Sequence, residues 1–266
     1  RIADEMRKVR AQTDRPFGVD MLAALPEQMN AAIDAIIEGG AACFVAGLGV
    51  PTDLVKKCHD GGVKVMVVCG KVKHAVAAQE AGCDAVIAQG TEAGGHTGQV
   101  AGMALIPQTV DAVDIPVLAA GSIVDGRGLA AALALGAQGV WMGTRFVAST
   151  EAVGSNVYKA RICSAGGADT AITRVYSGKP MRVINNPYVE AADPAAIKPF
   201  PLQLMESSRA GVMAWANDAT TDPARTCMPA GQGAGGIHEV LPAGEIVRRV
   251  LDEAEQTLAR IAGLCR

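Results

Sequence analysis

A glycine-rich segment with a single histidine is the part of this chain whose residue types most clearly suggest chemistry. Residues 90–98 read Gly-Thr-Glu-Ala-Gly-Gly-His-Thr-Gly, and His96 is the side chain among them that most readily exchanges a proton near neutral pH. Glycines let a backbone turn tightly and let a flat or charged ligand approach its N–H groups. Because the segment follows the apolar run 84–89, we expect a loop at the carboxyl end of a buried strand, where α/β proteins place active sites. The alternative is a solvent-exposed loop with an inert histidine.

Two further loops have the composition of a phosphate-binding site. Gly121 and Ser122 follow one apolar run, and Gly143 and Thr144 follow the next, about twenty residues later. In (β/α)8 barrels, loops after neighbouring strands often hold a phosphate through backbone N–H groups and a helix N-terminus. The glycines would admit the phosphate and the two hydroxyls would add hydrogen bonds. Tight strand-to-helix turns without a ligand are the alternative.

The remaining histidines give weaker indications. His59 and His74 stand beside lysines on predicted helices, which is typical of solvated surfaces. His238 follows the glycine-rich run 231–236, so a position near a cofactor is an alternative to a structural one. No two histidines share a metal-ligand spacing with a carboxylate, and we predict no metal site.

Strands and helices alternate through the first part of the chain, as in parallel βαβ units. Predicted strands cover residues 15–20, 42–46, 63–68, 84–89, 115–120 and 139–143, and predicted helices cover 1–13, 27–39, 51–59, 72–80, 106–113 and 128–135. A doubly wound open sheet and a TIM-type (β/α)8 barrel both fit this order. Glycine or polar residues follow almost every strand, which favours the barrel, since a barrel collects all these loops on one face. The chain starts on a helix, and we expect one or two N-terminal strands to be absent from it.

The alternation ends near residue 146, and this defines the predicted domains. Residues 1–146 and 227–266 form the barrel domain, and residues 147–226, which we call the cap segment, form a helical cap or lid. An ordinary helical appendage is the alternative. Helices are predicted at 155–164 and 201–217 in the cap segment and at 245–263 at the C-terminus.

Composition narrows the class of protein. The net charge of −3 gives no basic excess, which argues against nucleic acid and anionic membranes as partners. The seven cysteines are scattered and form no C-x-x-C pair, which indicates reduced thiols in a cytoplasmic protein. No apolar run reaches membrane-spanning length and no signal peptide opens the chain. We expect a small-molecule substrate.

Several motifs, in order, resemble one enzyme family. Segments 88–98, 119–128 and 142–146 closely resemble the nitronate monooxygenase family, formerly called 2-nitropropane dioxygenase, which includes flavin-dependent enoyl-acyl-carrier-protein reductases. Segments 14–19 and 229–232 are also similar to it. The resemblance implies a TIM barrel with FMN bound non-covalently at its mouth. The family normally begins with a further segment that carries the first strands.

The resemblance also implies site residues. Asp20 stands where the family usually has an asparagine that touches the flavin, and Ser122 stands where it usually has a second glycine. A carboxylate at position 20 would disfavour a reduced, anionic flavin unless it is protonated or paired. The barrel core is an alternative place for Trp141. The positions that we assign to the cofactor are Asp20, Gln89, Gly94, Gly95, Gly121, Ser122, Trp141, Met142, Gly143, Thr144, Gly231 and Gln232.

His96 is the predicted catalytic residue. In the resembling monooxygenases the matching histidine deprotonates the carbon next to a nitro group or positions the nitronate, and its own partner here would be the backbone or Glu92. The expected activity is oxidation of alkyl nitronates by O2 to a carbonyl compound and nitrite. Two alternatives are an NAD(P)H-dependent flavin enzyme, such as an enoyl-thioester or quinone reductase, and a phosphate-binding barrel without redox activity. The oligomeric state stays open, with a homodimer as one alternative.

Overall fold

Six parallel strands form the sheet that carries the glycine-rich loops. The structure is a computed structural model that describes residues 2–21, 26–47 and 52–264. The sheet consists of β1 (Gly18–Met21), β2 (Cys43–Ala46), β3 (Lys64–Cys69), β4 (Ala85–Gln89), β6 (Val117–Ala120) and β7 (Gly139–Trp141). Its spatial order is β1-β2-β3-β4-β6-β7, which is the chain order without a reversal. This order is that of a barrel and not of a doubly wound sheet.

The helices follow the strands as the alternating pattern predicts. Barrel-side helices are α1 (Ile2–Arg10), α2 (Pro26–Glu38), α3 (Thr52–Asp60), α4 (Val72–Glu80), α5 (Gly102–Val110), α6 (Gly126–Ala134), α7 (Thr144–Val147) and α11 (Ala243–Leu264). The predicted bounds of α4 are met at both ends, whereas α5 begins four residues before its prediction and contains Pro107. Residues 1 and 51, at the starts of two predicted helices, lie outside the described residues.

The strands divide their side chains between two cores. On β3, Val65, Val67 and Cys69 are buried against the surrounding helices in the large core cluster. Met66 and Val68 face the other way, into a small inner cluster around Val45, Ile87 and Ala120. This two-residue alternation is the strand period, and it separates a helix-packed outer face from an inner face. The inner cluster forms the floor on which the candidate site lies.

The C-terminal helix is fastened to the barrel by a close approach at one glycine. Helix α11 buries Ile246, Val250 and Ala254 and packs along α6. A Cβ at Gly126 would lie 2.2 Å from the Ala254 nitrogen, so only glycine allows this contact. Asp125 caps α6 by accepting hydrogen bonds from the amides of two following residues.

The cap segment contains a small antiparallel sheet as well as helices. Its elements are α8 (Asn156–Ser164), β8 (Thr170–Thr173), β9 (Met181–Ile184), α9 (Pro187–Glu190) and α10 (Leu202–Arg209), so the helix predicted over 201–217 is too long. Strand β9 pairs with β8 and also with β5 (Gly95–His96), which belongs to the glycine-rich loop. The sequence pattern did not predict these strands. A core cluster that joins Tyr158 and Ile162 to Met228 and Ile237 also spans the predicted boundary at residue 226.

Among the described residues, no helix combines the length and the apolar character that crossing a membrane requires.

Candidate active site

A cavity of about 310 Å³ opens at the carboxyl ends of the parallel strands, where the His96 loop meets the loops that follow β6 and β7. Strand ends contribute Asp20, Val68, Gln89, Ala120 and Trp141 to its lining, and the cap segment contributes Tyr158. The sequence-predicted residues on this cavity are Asp20, Gln89, Gly94, His96, Gly121, Ser122, Trp141, Gly143 and Thr144. Gly95, Met142, Gly231 and Gln232 do not line it.

His96 is held at the cavity by its backbone and by a serine from the cap segment. The Gln89 side-chain amide donates a hydrogen bond of 2.7 Å to the His96 carbonyl oxygen. The His96 Nε2 atom lies 2.8 Å from the Ser177 Oγ atom, and Ser177 is 1% exposed. The prediction that Glu92 is the partner of the His96 side chain is wrong. The Glu92 carboxylate instead accepts hydrogen bonds of 2.9 and 3.1 Å from the Gly102 amide. That amide is unsatisfied within its own helix, since it lies at the N-terminus of α5.

The Ser177 hydroxyl is held in place by two backbone groups of Lys179. Its Oγ lies 3.2 Å from the Lys179 carbonyl oxygen, to which it donates, and 3.3 Å from the Lys179 amide, from which it accepts. With the hydroxyl proton on the Lys179 carbonyl, Ser177 accepts from His96 Nε2–H. This arrangement places the proton of a neutral imidazole on Nε2 and leaves Nδ1 as its basic nitrogen.

Burial lowers the pKa of His96 below its ordinary value of 6.5, and the nearby positive charge of Lys179 lowers it further. The imidazole is therefore neutral at pH 7 and can accept a proton. The ring also meets Phe200 edge to face, with ring centroids 6.4 Å apart, and the Lys179 ammonium lies 4.5 Å from the Phe200 centroid.

The two loops expected to hold a phosphate lie on the cavity with free backbone donors. Gly121 has φ +114° and Ser122 has φ +52°, a left-handed conformation that is uncommon for a residue other than glycine. The amides of Gly121, Ser122, Gly143 and Thr144 donate no hydrogen bond to another described residue. A Cβ on Gly143 would meet no protein atom within 4 Å. The loops thus offer unpaired N–H groups beside open space.

The hydroxyls in these loops have a different task from the one predicted. Ser122 Oγ donates to the Glu92 carbonyl oxygen at 2.8 Å and accepts from the Gly233 amide at 2.8 Å. Thr144 Oγ1 accepts from the Gly231 amide at 3.0 Å. Both side chains therefore join the cavity loops to segment 229–233, so the groups that these loops leave available to a ligand are mainly backbone N–H groups.

Close backbone contact explains much of the glycine content of the His96 loop. A Cβ on Gly94 would lie 2.7 Å from the Gly231 nitrogen. The Gln232 amide donates a 2.9 Å hydrogen bond to the Glu92 carbonyl oxygen. Gly231 and Gln232 thus support the loop from behind. The glycines of this loop were predicted to let a ligand approach, whereas Gly94 is required by packing against the protein's own backbone.

Asp20 is the last residue but one of β1 and lines the cavity. Desolvation by the surrounding strand ends raises the pKa of its carboxyl, and a backbone hydrogen bond at Met21 partly opposes this effect. A raised pKa favours the protonated carboxyl, which is the form that a neighbouring anion tolerates better. Trp141 was expected either at the cofactor or in the barrel core. It lies at both, because it lines the cavity and packs on the inner cluster.

The other histidines lie elsewhere. His59 Nε2 is 2.8 Å from Asp84 in a surface pair. His238 borders a separate cavity of about 580 Å³ between α6 and α11. His74 lines another cavity, which adjoins the candidate active site.

Comparison with known proteins identifies the family of this chain. The family description "Nitronate monooxygenase" matches residues 1–253. The chain belongs to the nitronate monooxygenase family. Similarity extends to a Rhodococcus jostii (3aS,4S,5R,7aS)-5-hydroxy-7a-methyl-1-oxo-octahydro-1H-indene-4-carboxyl-CoA dehydrogenase, with 42% identity over 70% of this chain and 52% of that protein. The chain spans about half the length of the curated relatives that it matches.

Two solved structures superimpose on nearly the whole chain. FabK from Thermotoga maritima has a TM-score of 0.90 and 35% identity, covering 99% of this chain and 83% of its own. Nitroalkane oxidase from Streptomyces ansochromogenes has a TM-score of 0.89 and 28% identity, covering 97% and 87%. The resemblance and the barrel fold predicted from the sequence are thereby confirmed.

The cavity fits the flavin that family membership suggests. Its unpaired amides suit a phosphate, and its apolar floor of Val68, Ala120 and Trp141 suits an aromatic ring system. Sequence reasoning missed Ser177 and Tyr158, because nothing local marks them as neighbours of residues 90–98.

Proposed function

We propose that this protein is an FMN-dependent oxidoreductase that oxidises alkyl nitronates with O2 to a carbonyl compound and nitrite. The observation that carries the proposal is His96, a neutral imidazole that is hydrogen-bonded to Ser177 and lies on the same cavity as the unpaired amides of the two phosphate loops. Family membership and the likeness to a nitroalkane oxidase support the same reaction class.

The loops at Gly121–Ser122 and Gly143–Thr144 would hold the FMN phosphate through their backbone N–H groups. When bound, FMN supplies electron acceptance and the reaction with O2. The chain supplies orientation and proton handling. His96 Nδ1 takes the proton from the carbon next to a neutral nitro group, and the Nε2–H···Ser177 hydrogen bond keeps that nitrogen free and steadies the imidazolium that forms. Lys179 adds a positive charge that favours an anionic nitronate.

The electrostatics of His96 favour this oxidative reaction over reduction of a thioester. A reductase needs a group that donates a proton to the product carbon, whereas the lowered pKa of His96 makes its protonated form scarce at neutral pH. A base is the role that this environment supports.

A second candidate is an NAD(P)H-dependent flavin enzyme that acts on a thioester. It is supported by the printed name of the Rhodococcus relative, a carboxyl-CoA dehydrogenase, and by the likeness to FabK. The same loops would hold FMN in this case, and His96 would lie beside the acyl group.

One experiment separates these candidates and the non-redox alternative. The protein is purified and its absorbance is recorded, then O2 consumption is measured with alkyl nitronates and NAD(P)H oxidation with crotonyl thioesters. We expect a yellow protein that consumes O2 with nitronates. Thioester-dependent NAD(P)H oxidation without nitronate turnover would transfer the assignment to the second candidate. A protein that stays colourless after incubation with FMN would contradict both.

A further inference from the structure

The contact between His96 and Ser177 joins two parts of the chain that must be held in a fixed relation. His96 belongs to residues 90–98, the His96 loop, whereas Ser177 belongs to the cap segment. Glycines lose more conformational freedom on ordering than other residues, so a loop with this composition needs ties that offset the loss. The Thr91 hydroxyl supplies one within the loop, since it donates a 2.9 Å hydrogen bond to the Gly98 carbonyl oxygen. This tie shapes the loop but does not connect it to the cap segment.

Arg182 of β9 makes the connection, although its side chain is only 7% exposed. Its Nε and Nη2 atoms donate hydrogen bonds of 3.2 and 3.0 Å to the Thr91 carbonyl oxygen. Its Nη1 atom donates one of 3.1 Å to Thr170 Oγ1 on the neighbouring strand β8. Within the described part of the chain, only these bonds to Thr91 and the contact between His96 and Ser177 join the His96 loop to the cap segment through side chains.

The main chain of Arg182 holds the His96 loop at a second point. Gly95, which directly precedes His96, is paired with Arg182 across β5 and β9. One residue of the cap segment thus contacts the loop at Thr91 through its side chain and at Gly95 through its backbone. The stretch between these two points leads directly into His96, so the position of the imidazole depends on both.

The chemistry of this contact requires an arginine. A planar guanidinium directs N–H groups toward two acceptors in one fixed geometry, which a lysine ammonium on its flexible stem does not do. Arg182 forms no ion pair with a described residue; burial lowers its pKa, and the negative charge of Glu92 partly opposes this effect. Burying a cation without a counter-ion is costly, and an apolar side chain would fill the same space at lower cost. The directed hydrogen bonds are therefore what Arg182 contributes.

We infer that Arg182 is a positioning residue, which holds the His96 loop against the cap segment so that the imidazole Nε2–H reaches Ser177 and Nδ1 stays available to the substrate. Its part in catalysis rests on the proposed function, in which His96 is the base. Its effect on the hydrogen bond between His96 and Ser177 does not rest on that function and can be measured without turnover.

The first test measures the tautomer of His96 in the purified protein. Nitrogen NMR, with the His96 signals assigned by their loss in His96→Asn, shows which ring nitrogen carries the proton. We expect the Nε2–H form in the wild type. Arg182→Met fills similar space without hydrogen bonds, so both tautomers should appear and the amides of residues 91–97 should exchange about tenfold faster, while those of β4 stay protected. A wild-type tautomer in a folded Arg182→Met protein would overturn the inference.

Lys159→Met is the matched control. Lys159 lies on α8 of the cap segment, is also 7% exposed and donates a 3.4 Å hydrogen bond to the Thr150 carbonyl oxygen. Its replacement removes an equally buried cation that has no hydrogen bond to the His96 loop, so the tautomer and the exchange rates should stay as in the wild type. Equal changes in both variants would mean that any buried cation of the cap segment has this effect, and would exclude a specific role for Arg182.

Arg182→Lys keeps the test decisive where the methionine variant folds poorly. It retains the charge and one donor group but not the planar fork, so it should restore the Nε2–H tautomer only in part. A tautomer population equal to that of the wild type in Arg182→Lys would show that the charge alone is sufficient, and would contradict the geometric role.

The second test measures turnover. In Arg182→Met, kcat for neutral nitroalkanes should fall by about ten- to a hundredfold with a smaller change in KM, because a misplaced base slows proton removal more than binding. Preformed nitronates should lose less activity, and Arg182→Lys should recover part of the loss. An unchanged kcat in a variant with mixed tautomers would overturn the catalytic role. Absence of nitronate oxidation in the wild type would count against the proposed function alone, since the NMR comparison decides the positioning role by itself.

Discussion

The two walls of the active-site cavity come from parts of the chain with different architecture. The barrel wall consists of strand ends and tight loops, and it offers mainly backbone groups at Gly121, Ser122 and Gly143. The opposite wall comes from the cap segment, which offers side chains: the Ser177 hydroxyl on His96 and the Tyr158 ring. Under the proposed function this difference divides the work: the backbone of the barrel would hold the cofactor, and side chains of the cap segment would adjust the basicity of His96.

The largest expected effect is loss of the cofactor when the barrel wall is filled. In Gly143→Val the new Cβ meets no protein atom within 4 Å, so the fold should persist while the side chain fills the space that the proposed phosphate would occupy. We expect a colourless protein with an unchanged circular dichroism spectrum. Gly244→Val, which also points into open space but lies on α11, should stay yellow. Full flavin content in Gly143→Val would place the phosphate elsewhere.

The next largest effect is loss of activity when His96, the proposed base, is replaced. His96→Asn should retain FMN, because the proposed phosphate contacts lie in other loops. Its kcat/KM for neutral nitroalkanes should fall by about a hundred- to ten-thousand-fold, since an amide cannot act as a base near neutral pH. Preformed nitronates should lose much less activity. Equal losses on both forms, measured by O2 consumption, would assign His96 to positioning instead.

Ser177→Ala tests the cap wall alone. It removes the acceptor for His96 Nε2–H, so the proton distributes between both nitrogens and the imidazolium loses a hydrogen bond. We expect about a tenfold lower kcat for neutral nitroalkanes with KM nearly unchanged, and partial recovery in Ser177→Thr. Ser207→Ala, at another buried serine of the cap segment, is the control. A Ser177→Ala enzyme with wild-type kcat would show that the hydrogen bond is not used.

The smallest effect is a change in pH dependence. With neutral nitroalkanes, kcat/KM should decline as pH falls through the His96 pKa, because the base becomes protonated. Lys179 helps to hold that pKa below 6.5, so Lys179→Gln should raise it and move the acid limb of the profile to higher pH. Lys198→Gln, whose lysine pairs with Glu206 at the surface, should leave the limb in place. A limb that moves to lower pH in Lys179→Gln contradicts the electrostatic explanation.

The barrel wall of the cavity could be predicted from the sequence, whereas the wall from the cap segment could not. The barrel side follows from local sequence: an apolar run such as 84–89 ended by Gly90 gives both β4 and its loop. The contact between His96 and Ser177 joins residues 81 positions apart, through a strand pair whose β5 has only two residues. Such short strands leave no periodic signal. The glycines of residues 90–98 were predicted as a cluster, but sequence alone does not distinguish approach to a ligand from approach to Ala230 and Gly231.

Strand β5 carries a consequence for how such enzymes diversify. Gly95 and His96 are registered against Arg182 and Met181 of β9 through main-chain pairing, which is indifferent to most side-chain identities. Mutations elsewhere in the cap segment can therefore change the surroundings of the substrate while the His96 imidazole keeps its position. Grafting cap segments between relatives onto this barrel, with the 95–96 pairing preserved, should exchange substrate preference without rebuilding the reacting centre. The fold thus allows specificity to evolve separately from chemistry.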